Sequence, residues 1–277
     1  MKNLTKVLAL MMVAVLAFGL AACGNKNNEA AVDYSKSVDN ALVVAEAGSA
    51  GEELATTNEY FANAKFTAVD SMATALMDVA SGTSDIAIVD YVTSIGSIGE
   101  GTDFANLAVV DGKDFNPEEY GIAFRKGSDV VPAVNAAIAE LMADGTMDKI
   151  AAEYKLSDLL IKDGKAYDDA VTEGDLAYIK DKGELTIGIT LFAPMNYEDD
   201  NQELIGFETE FAEAVCAKLG VDANFVEINW NSKEIELNSK NIDCIWNGMT
   251  ITDERLENMS ISVPYMENKQ VMVSKAQ

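Results

Sequence analysis

The sequence predicts an α/β fold of two similar lobes, each a mainly parallel sheet flanked by helices. Three observations predict it. Short apolar runs of strand length recur along the chain, helical stripes separate them, and one helix–turn–strand unit occurs twice. The first strand run is residues 42–45 and the second 66–69. Ser71 then stands as an N-cap before Met72, Leu76 and Val79, a helical stripe that ends at Gly82. Residues 86–89 and 107–110 are the next two strands. Val134, Ile138, Leu141 and Met142 make a second stripe, and Met147, Ile150 and Tyr154 a third after Thr146. A strand at 185–189 leads to Phe207, Phe211, Val215 and Leu219, spaced by four and stopped by Gly220. Strands at 225–228, 242–246 and 271–273 complete the alternation.

The repeat gives the two lobes. Residues 77–90 read as a helix end, a polar turn, an acidic residue and a buried strand ending in Asp90; residues 235–247 repeat this and end in Asn247. In open parallel sheets, ligands bind outside the carboxyl ends of the strands, so Asp90 and Asn247 mark a candidate site.

Composition removes several functions. The chain has 277 residues, 20 Lys plus Arg against 46 Asp plus Glu, a formal charge of −26 and no histidine. That acidity is opposed to nucleic-acid binding, which needs a basic footprint, and to docking on anionic lipid through a basic face. Absent histidine removes Ser-His-Asp and Cys-His catalysis and every His-containing zinc site. Cys216 and Cys244 read as buried thiols, a disulfide remaining open, and no ligand cluster calls for a metal or cofactor.

The N-terminus sets the compartment. Lys2 and Lys6 precede an uncharged run, residues 7–22, which ends Leu20-Ala21-Ala22 before Cys23. The run is shorter than the ~20 residues of a spanning helix and reads as a signal segment, residues 1–22. Small residues before Cys23 resemble the lipobox of bacterial lipoproteins, which implies lipidation (palmitate) at Cys23 and a tether over residues 23–40.

The candidate binding residues lie near the C-terminus. Asn247-Gly248-Met249-Thr250 follows a buried strand, and Thr252-Asp253-Glu254-Arg255 offers a guanidinium suited to a carboxylate. Alone, the second run is equally a capped helix with a surface arginine. With Gly183-Glu184-Leu185, Phe192-Ala193-Pro194-Met195, Gly206-Phe207-Glu208, Trp230 and Ser260-Ile261-Ser262-Val263-Pro264-Tyr265, it resembles the polar amino-acid family of bacterial extracellular solute-binding proteins. Met195 and Glu208 depart from the usual aromatic and Asp.

The resemblance implies a periplasmic-binding-protein-like fold, circularly permuted. The family's first-lobe segment runs here from about Gly174 to the C-terminus, whereas residues 41–160 look like its second half. The expected boundaries are lobe 2 at 41–118 and lobe 1 at 119–277, with residues 161–173 joining the original termini and one covalent crossing near 119–125. The implied function is a lipid-anchored, extracytoplasmic, monomeric receptor that delivers an amino acid to an ABC permease, without catalysis.

The implied site is specific. Arg255 and Thr250 take the α-carboxylate, with backbone N–H groups at Ser49 and Ala50 and close approach at Gly248. Asp90 takes the α-ammonium, and Phe192 and Trp230 flank the side chain. Asn247 belongs to the same run. Read without the family, Trp230 suits a core, Asp90 a solvated loop, and Ser49 a capping box with Glu52. Glu46 is either solvent-facing or a reader of a cationic or amide ligand group, since an unpaired buried carboxylate is costly. A dehydratase-like enzyme with Glu46 as its acid, or a ligand sensor, would use the same scaffold.

Overall fold

The computed structural model describes residues 32–167 and 170–276. The expected signal segment, Cys23 and the first part of the tether lie outside the described residues. The last part of the tether is packed. Val38 is buried beside Ala41 and Phe61, and the Tyr60 hydroxyl donates to the Tyr34 carbonyl. The folded body therefore starts at Tyr34 and not at residue 41.

The chain opens with β1 (Leu42–Glu46), α1 (Ala50–Thr57), β2 (Lys65–Val69), α2 (Met72–Ser81), β3 (Ile86–Asp90), α3 (Tyr91–Ser97) and β4 (Leu107–Val109). β5 (Pro117–Tyr120), β6 (Ala123–Arg125), α4 (Val130–Ala143) and α5 (Thr146–Glu153) follow. Next come α6 (Asp175–Lys182), β7 (Glu184–Ile189), β8 (Tyr197–Glu198), β9 (Leu204–Ile205), α7 (Phe207–Leu219) and β10 (Asp222–Glu227). α8 (Lys233–Asn238), β11 (Cys244–Ile245), α9 (Asp253–Asn258), β12 (Met259–Ile261) and β13 (Met266–Lys275) complete it.

These strands form two principal sheets. The first has the order β2-β1-β3-β13-β4, with β5 also paired to β13; the second has the order β10-β7-β11-β6-β12. β1 is parallel to β2 and β3, and β7 is parallel to β10 and β11. The repeat seen in the sequence is therefore topological, because β3 and β11 hold the same place in their sheets. Parallel pairing stops there. β13 and β6 run antiparallel to β3 and β11, because they enter from the other lobe and not by a helical crossover.

Helix ends follow the residues that marked them. The Ser71 hydroxyl accepts from the Thr74 N–H (3.1 Å), and Gly82 closes α2 at φ 84°. α7 buries Phe207, Phe211 and Val215 on one side and stops at Gly220. Phe211 lies edge-on to Trp246 at 4.9 Å and to Tyr265 at 5.2 Å, so α7 is fixed to the second sheet by aromatic packing. Cys216 and Cys244 are free and buried, and burial pushes the Cys216 thiol up to about 12.

The single crossing expected near residue 120 is two in the structure. One is β5 to β6, broken at Gly121 and Ile122; the other is β12 to β13, which takes the chain back into the first sheet. Met266–Lys269 pairs with Pro117–Tyr120, so the crossings lie side by side. Residues 266–275 thus belong with the sheet expected to be lobe 2. The strand at 271–273 is legible as apolar sequence, but its sheet is set by long-range pairing that apolarity does not encode.

Candidate functional site

The functional side chains gather where strands of both sheets end. β1 ends at Glu46 and β3 at Asp90; β7 leads into Thr190 and Phe192, and β11 into Asn247 and Gly248. A cleft of about 430 Å³ is lined by Ala50, Glu53, Glu118, Thr250 and Gln270, drawn from both sheets. A second, of about 620 Å³, lies between Asp70–Ala73 and the segment around Thr190 and Glu227.

Arg255 sits in the first turn of α9, whose cap is Thr252: the Thr252 hydroxyl accepts from the Arg255 N–H at 3.2 Å. Its Nη1 donates to the Thr250 carbonyl (2.6 Å) and Nη2 to the Gly48 carbonyl (3.3 Å). The residue is only 8% exposed, and among the described residues no carboxylate pairs with it. Burial pulls the guanidinium's affinity for its proton down, and the more distant carboxylates of Glu53, Asp90, Glu118 and Glu234 oppose that. A cation desolvated without an anion is an anion-binding position.

Asp90 is the opposite charge. It is 4% exposed and accepts from Asn268 Nδ2 (3.0 Å) and from Gln270 Nε2. Both amides also donate to Glu118 Oε2, at 3.1 and 3.0 Å, so two carboxylates share two donors. Burial first, and then the Glu118 charge, push Asp90 up to about 7. The Tyr120 hydroxyl lies beside Asp90 without a well-aligned bond to it.

Glu46 is buried, not solvent-facing. It is 2% exposed and its Oε1 has no hydrogen-bond partner. Burial, reinforced by Asp90, pushes its carboxyl up to about 8, against the pull of Lys233. Lys233 was not visible as a site residue. It follows Trp230 by three positions, and its Nζ donates to the Trp230 carbonyl (3.3 Å) and lies 4.9 Å from that ring's centroid. The same Nζ donates to the Gly48 carbonyl (2.9 Å), so one oxygen of Gly48 receives both Lys233 and Arg255, each from the segment after residue 119. Burial, then Arg255, draw the Lys233 ammonium down to about 8. The only sequence signal for it is a helical step from Trp230.

Several expected roles change. The Thr250 hydroxyl donates to Glu118 (3.1 Å), and its carbonyl, not its side chain, meets Arg255. Asn247 is committed to structure: its Nδ2 donates to the Thr190 carbonyl and Asn196 Oδ1, both 2.8 Å, while the Thr190 hydroxyl donates to its Oδ1. It ties the loop after β11 to the loop after β7. Ser49 is a cap, accepting from the Glu52 N–H (3.2 Å), while Glu52 accepts from the Gly48 N–H (2.6 Å). The Ser49 N–H donates to the Glu46 carbonyl, which leaves the Ala50 and Gly51 N–H groups at this helix start unengaged among the described residues.

Gly248 holds φ 55°, and a Cβ there would meet the Phe192 ring at 2.8 Å. Its N–H donates to both oxygens of Glu208, which is fully buried and also accepts from the Tyr265 hydroxyl. Burial pushes Glu208 up to about 7. Phe192 is buried against Gly248, and Trp230 packs with Leu237, Ile242 and Met249. The core reading of Trp230 holds, with Lys233 lying over its ring.

Residues 185–277 match the family described as Bacterial extracellular solute-binding proteins, family 3. A solved structure of domain 1 from TmArgBP in its arginine-bound form is 32% identical, over 36% of this chain and 84% of that one, with a TM-score of 0.33. The likeness to this family is carried by residues 185–277. The L-cystine-binding protein TcyJ of Escherichia coli (strain K12) is 36% identical over 105 residues, 37% of this chain and 40% of the relative. The arginine-binding extracellular protein ArtP of Bacillus subtilis (strain 168) is 30% identical over 95 residues, 34% of this chain and 37% of the relative. The chain thus spans about two fifths of the length of the curated relatives it matches. The two sheets flanked by helices are the α/β fold the sequence predicted, with antiparallel strands added to their parallel centres.

Proposed function

We propose that this protein, similar over residues 185–277 to the family 3 solute-binding proteins, binds a polar or basic amino acid between its two lobes and passes it to an ABC permease. One observation carries the reading. Among the described residues Arg255 is a buried cation without an anion and Asp90 a buried carboxylate without a cation; they stand on different sheets, with Arg255 held against the Gly48 turn and within the field of Asp90. The carboxylate and ammonium of an amino acid supply both missing charges, with the Ala50 N–H at the start of α1 as a further donor. Phe192 and Trp230 border the side-chain end, and Gly248 keeps the approach narrow. No group is asked to break a bond, so the reading is receptor and not enzyme.

The anchor and the chain order belong to the same proposal. Cys23 carries lipid after removal of residues 1–22, which holds a monomeric receptor on the extracytoplasmic face of the membrane. The chain is a circular permutation. In support, the family match is confined to residues 185–277, while the earlier residues supply a sheet with the same central order as the second. Titration calorimetry against the amino acids tests the site. Binding should be present, and Arg255→Ala should weaken it by about 3–5 kcal/mol, the loss seen when one partner of a buried charge pair is removed. Unchanged affinity in that variant refutes the carboxylate assignment.

A further inference from the structure

If Arg255 and Asp90 take the head group of the ligand, a buried carboxyl and a buried ammonium remain beside them. Glu46 is 2% exposed with a carboxyl oxygen that nothing among the described residues satisfies. Lys233 is 6% exposed, and its ammonium makes two hydrogen bonds, to the Gly48 and Trp230 carbonyls, from three protons. Their mutual pull is felt by both groups, yet no ion pair closes between them among the described residues. A buried carboxyl and a buried ammonium that meet at one turn, with Lys233 bonded to the carbonyl of Gly48 two residues after Glu46, and that do not neutralise each other are poised for a molecule carrying the complementary charges.

We propose that Glu46 and Lys233 form a second subsite, which recognises a ligand whose side chain itself ends in both an ammonium and a carboxylate. The inference rests on the reading of Arg255 and Asp90 above and adds the class of amino acid. An amino acid with a simple cationic side chain would satisfy Glu46 but leave its positive end against Lys233. An acidic side chain would reverse the mismatch. A side chain ending in a zwitterion satisfies both, and gives the cleft two positive and two negative groups on each side of the contact. The Gly48 carbonyl, shared by Lys233 and Arg255, sets these two cations against the same turn, so both subsites assemble when the lobes meet.

Four ligands of matched length test this on the full chain by calorimetry: 2,6-diaminoheptanedioate, lysine, 2-aminoheptanedioate and 2-aminoheptanoate. They carry at the distal end both charges, the ammonium alone, the carboxylate alone, and neither. The doubly charged ligand should bind at least tenfold more tightly than each of the others. Glu46→Gln should bring the ratio between it and 2-aminoheptanedioate toward one, and Lys233→Met should do so for its ratio to lysine. Lys233→Arg should keep the preference. These ratios report recognition, and a general weakening of lobe closure moves all four ligands together. Equal binding of the four, or tightest binding of lysine, overturns the second subsite while leaving the amino-acid reading standing. Failure of all four to bind overturns both.

Discussion

Replacing Glu46 by glutamine should stabilise the ligand-free protein, and by an amount that grows with pH. The Glu46 carboxyl is pushed from 4.5 to about 8 in the folded chain, by burial first and Asp90 second. Between those values the native state holds a proton that the unfolded chain has released. Stability therefore falls as pH rises across that window, and is complete only below it. At pH 7 the window has been climbed by 2.5 of its units, and at 1.36 kcal/mol each the penalty is about 3 kcal/mol. Glutamine keeps the shape and has no proton to lose. The variant should match the parent near pH 4 and exceed it by about 3 kcal/mol at pH 7, or roughly 6–12 °C in Tm for a chain of this size. Asp90 and Glu208, each raised to about 7, give the parent a slope of the same sign, so the difference between the two proteins isolates position 46. Lys233, lowered to about 8, contributes oppositely above pH 8, which is why the comparison stops at 7.5. Urea unfolding at pH 4.5, 6 and 7.5, with equal m-values, is the assay. A difference that does not change with pH refutes the raised carboxyl, and a variant less stable at pH 7.5 shows that the carboxylate is paired.

Other expectations are as direct. Gly48→Ala places a Cβ at φ 73°, 3.0 Å from the Asn231 Cα and 3.3 Å from Lys233 Nζ, and should cost about 1–2 kcal/mol in backbone strain while holding the lobes apart; small-angle scattering that shows ordinary compaction with ligand would count against it. Asp243 is buried and accepts from Lys182 Nζ (2.6 Å) and the Thr186 N–H (2.9 Å) beside Arg125; Asp243→Ala should cost about 3–5 kcal/mol in a urea melt, and a loss below 1 kcal/mol would refute its role. Cys23→Ser should move the protein from the membrane fraction to the medium, and continued membrane retention would remove Cys23 as the anchor.

The alternation of strands and helices was legible because apolar runs and helical stripes are local signals. Ser71 and Gly82 bracket α2 as the sequence indicates, and the repeat correctly paired β3 with β11. What was not legible depends on partners distant in sequence. Asn247 stands at the expected strand end, yet Thr190 and Asn196 use up its amide, and neither is near it in the chain. Thr250 carries a ligand-like hydroxyl that Glu118 claims from across the hinge. Lys233 contributes through a carbonyl 185 residues away, which no local pattern can announce. The sequence leaves Glu46 between solvent and site, and its burial in the folded chain excludes solvent.

The double crossing gives the chain order a mechanical test. Residues 161–173 are fixed at both ends: the Ile161 N–H donates to the Tyr265 carbonyl (2.9 Å), the Thr172 N–H to the Gly127 carbonyl (2.7 Å), and the Gly174 N–H to Asp129 (3.0 Å). Between these anchors Lys165, Ala166 and Ala170 are exposed. If this stretch merely joins old termini, cutting it should return the protein to two chains that still form one body. The pieces interlock, since β6 from the first lies between β11 and β12 from the second, and β13 from the second lies between β3 and β4 from the first. Both crossings also survive the cut, because neither passes through the linker. A protease site placed between Ala170 and Val171 should therefore give a nicked protein that elutes as one particle and binds ligand within about twofold of the intact chain. Its unfolding should become concentration-dependent, since the loop-closure entropy that the linker saved must now be supplied by association. Separation of the pieces under native conditions, or loss of binding in a nicked protein that stays together, would show that the linker shapes the site and that the permuted order is wrong.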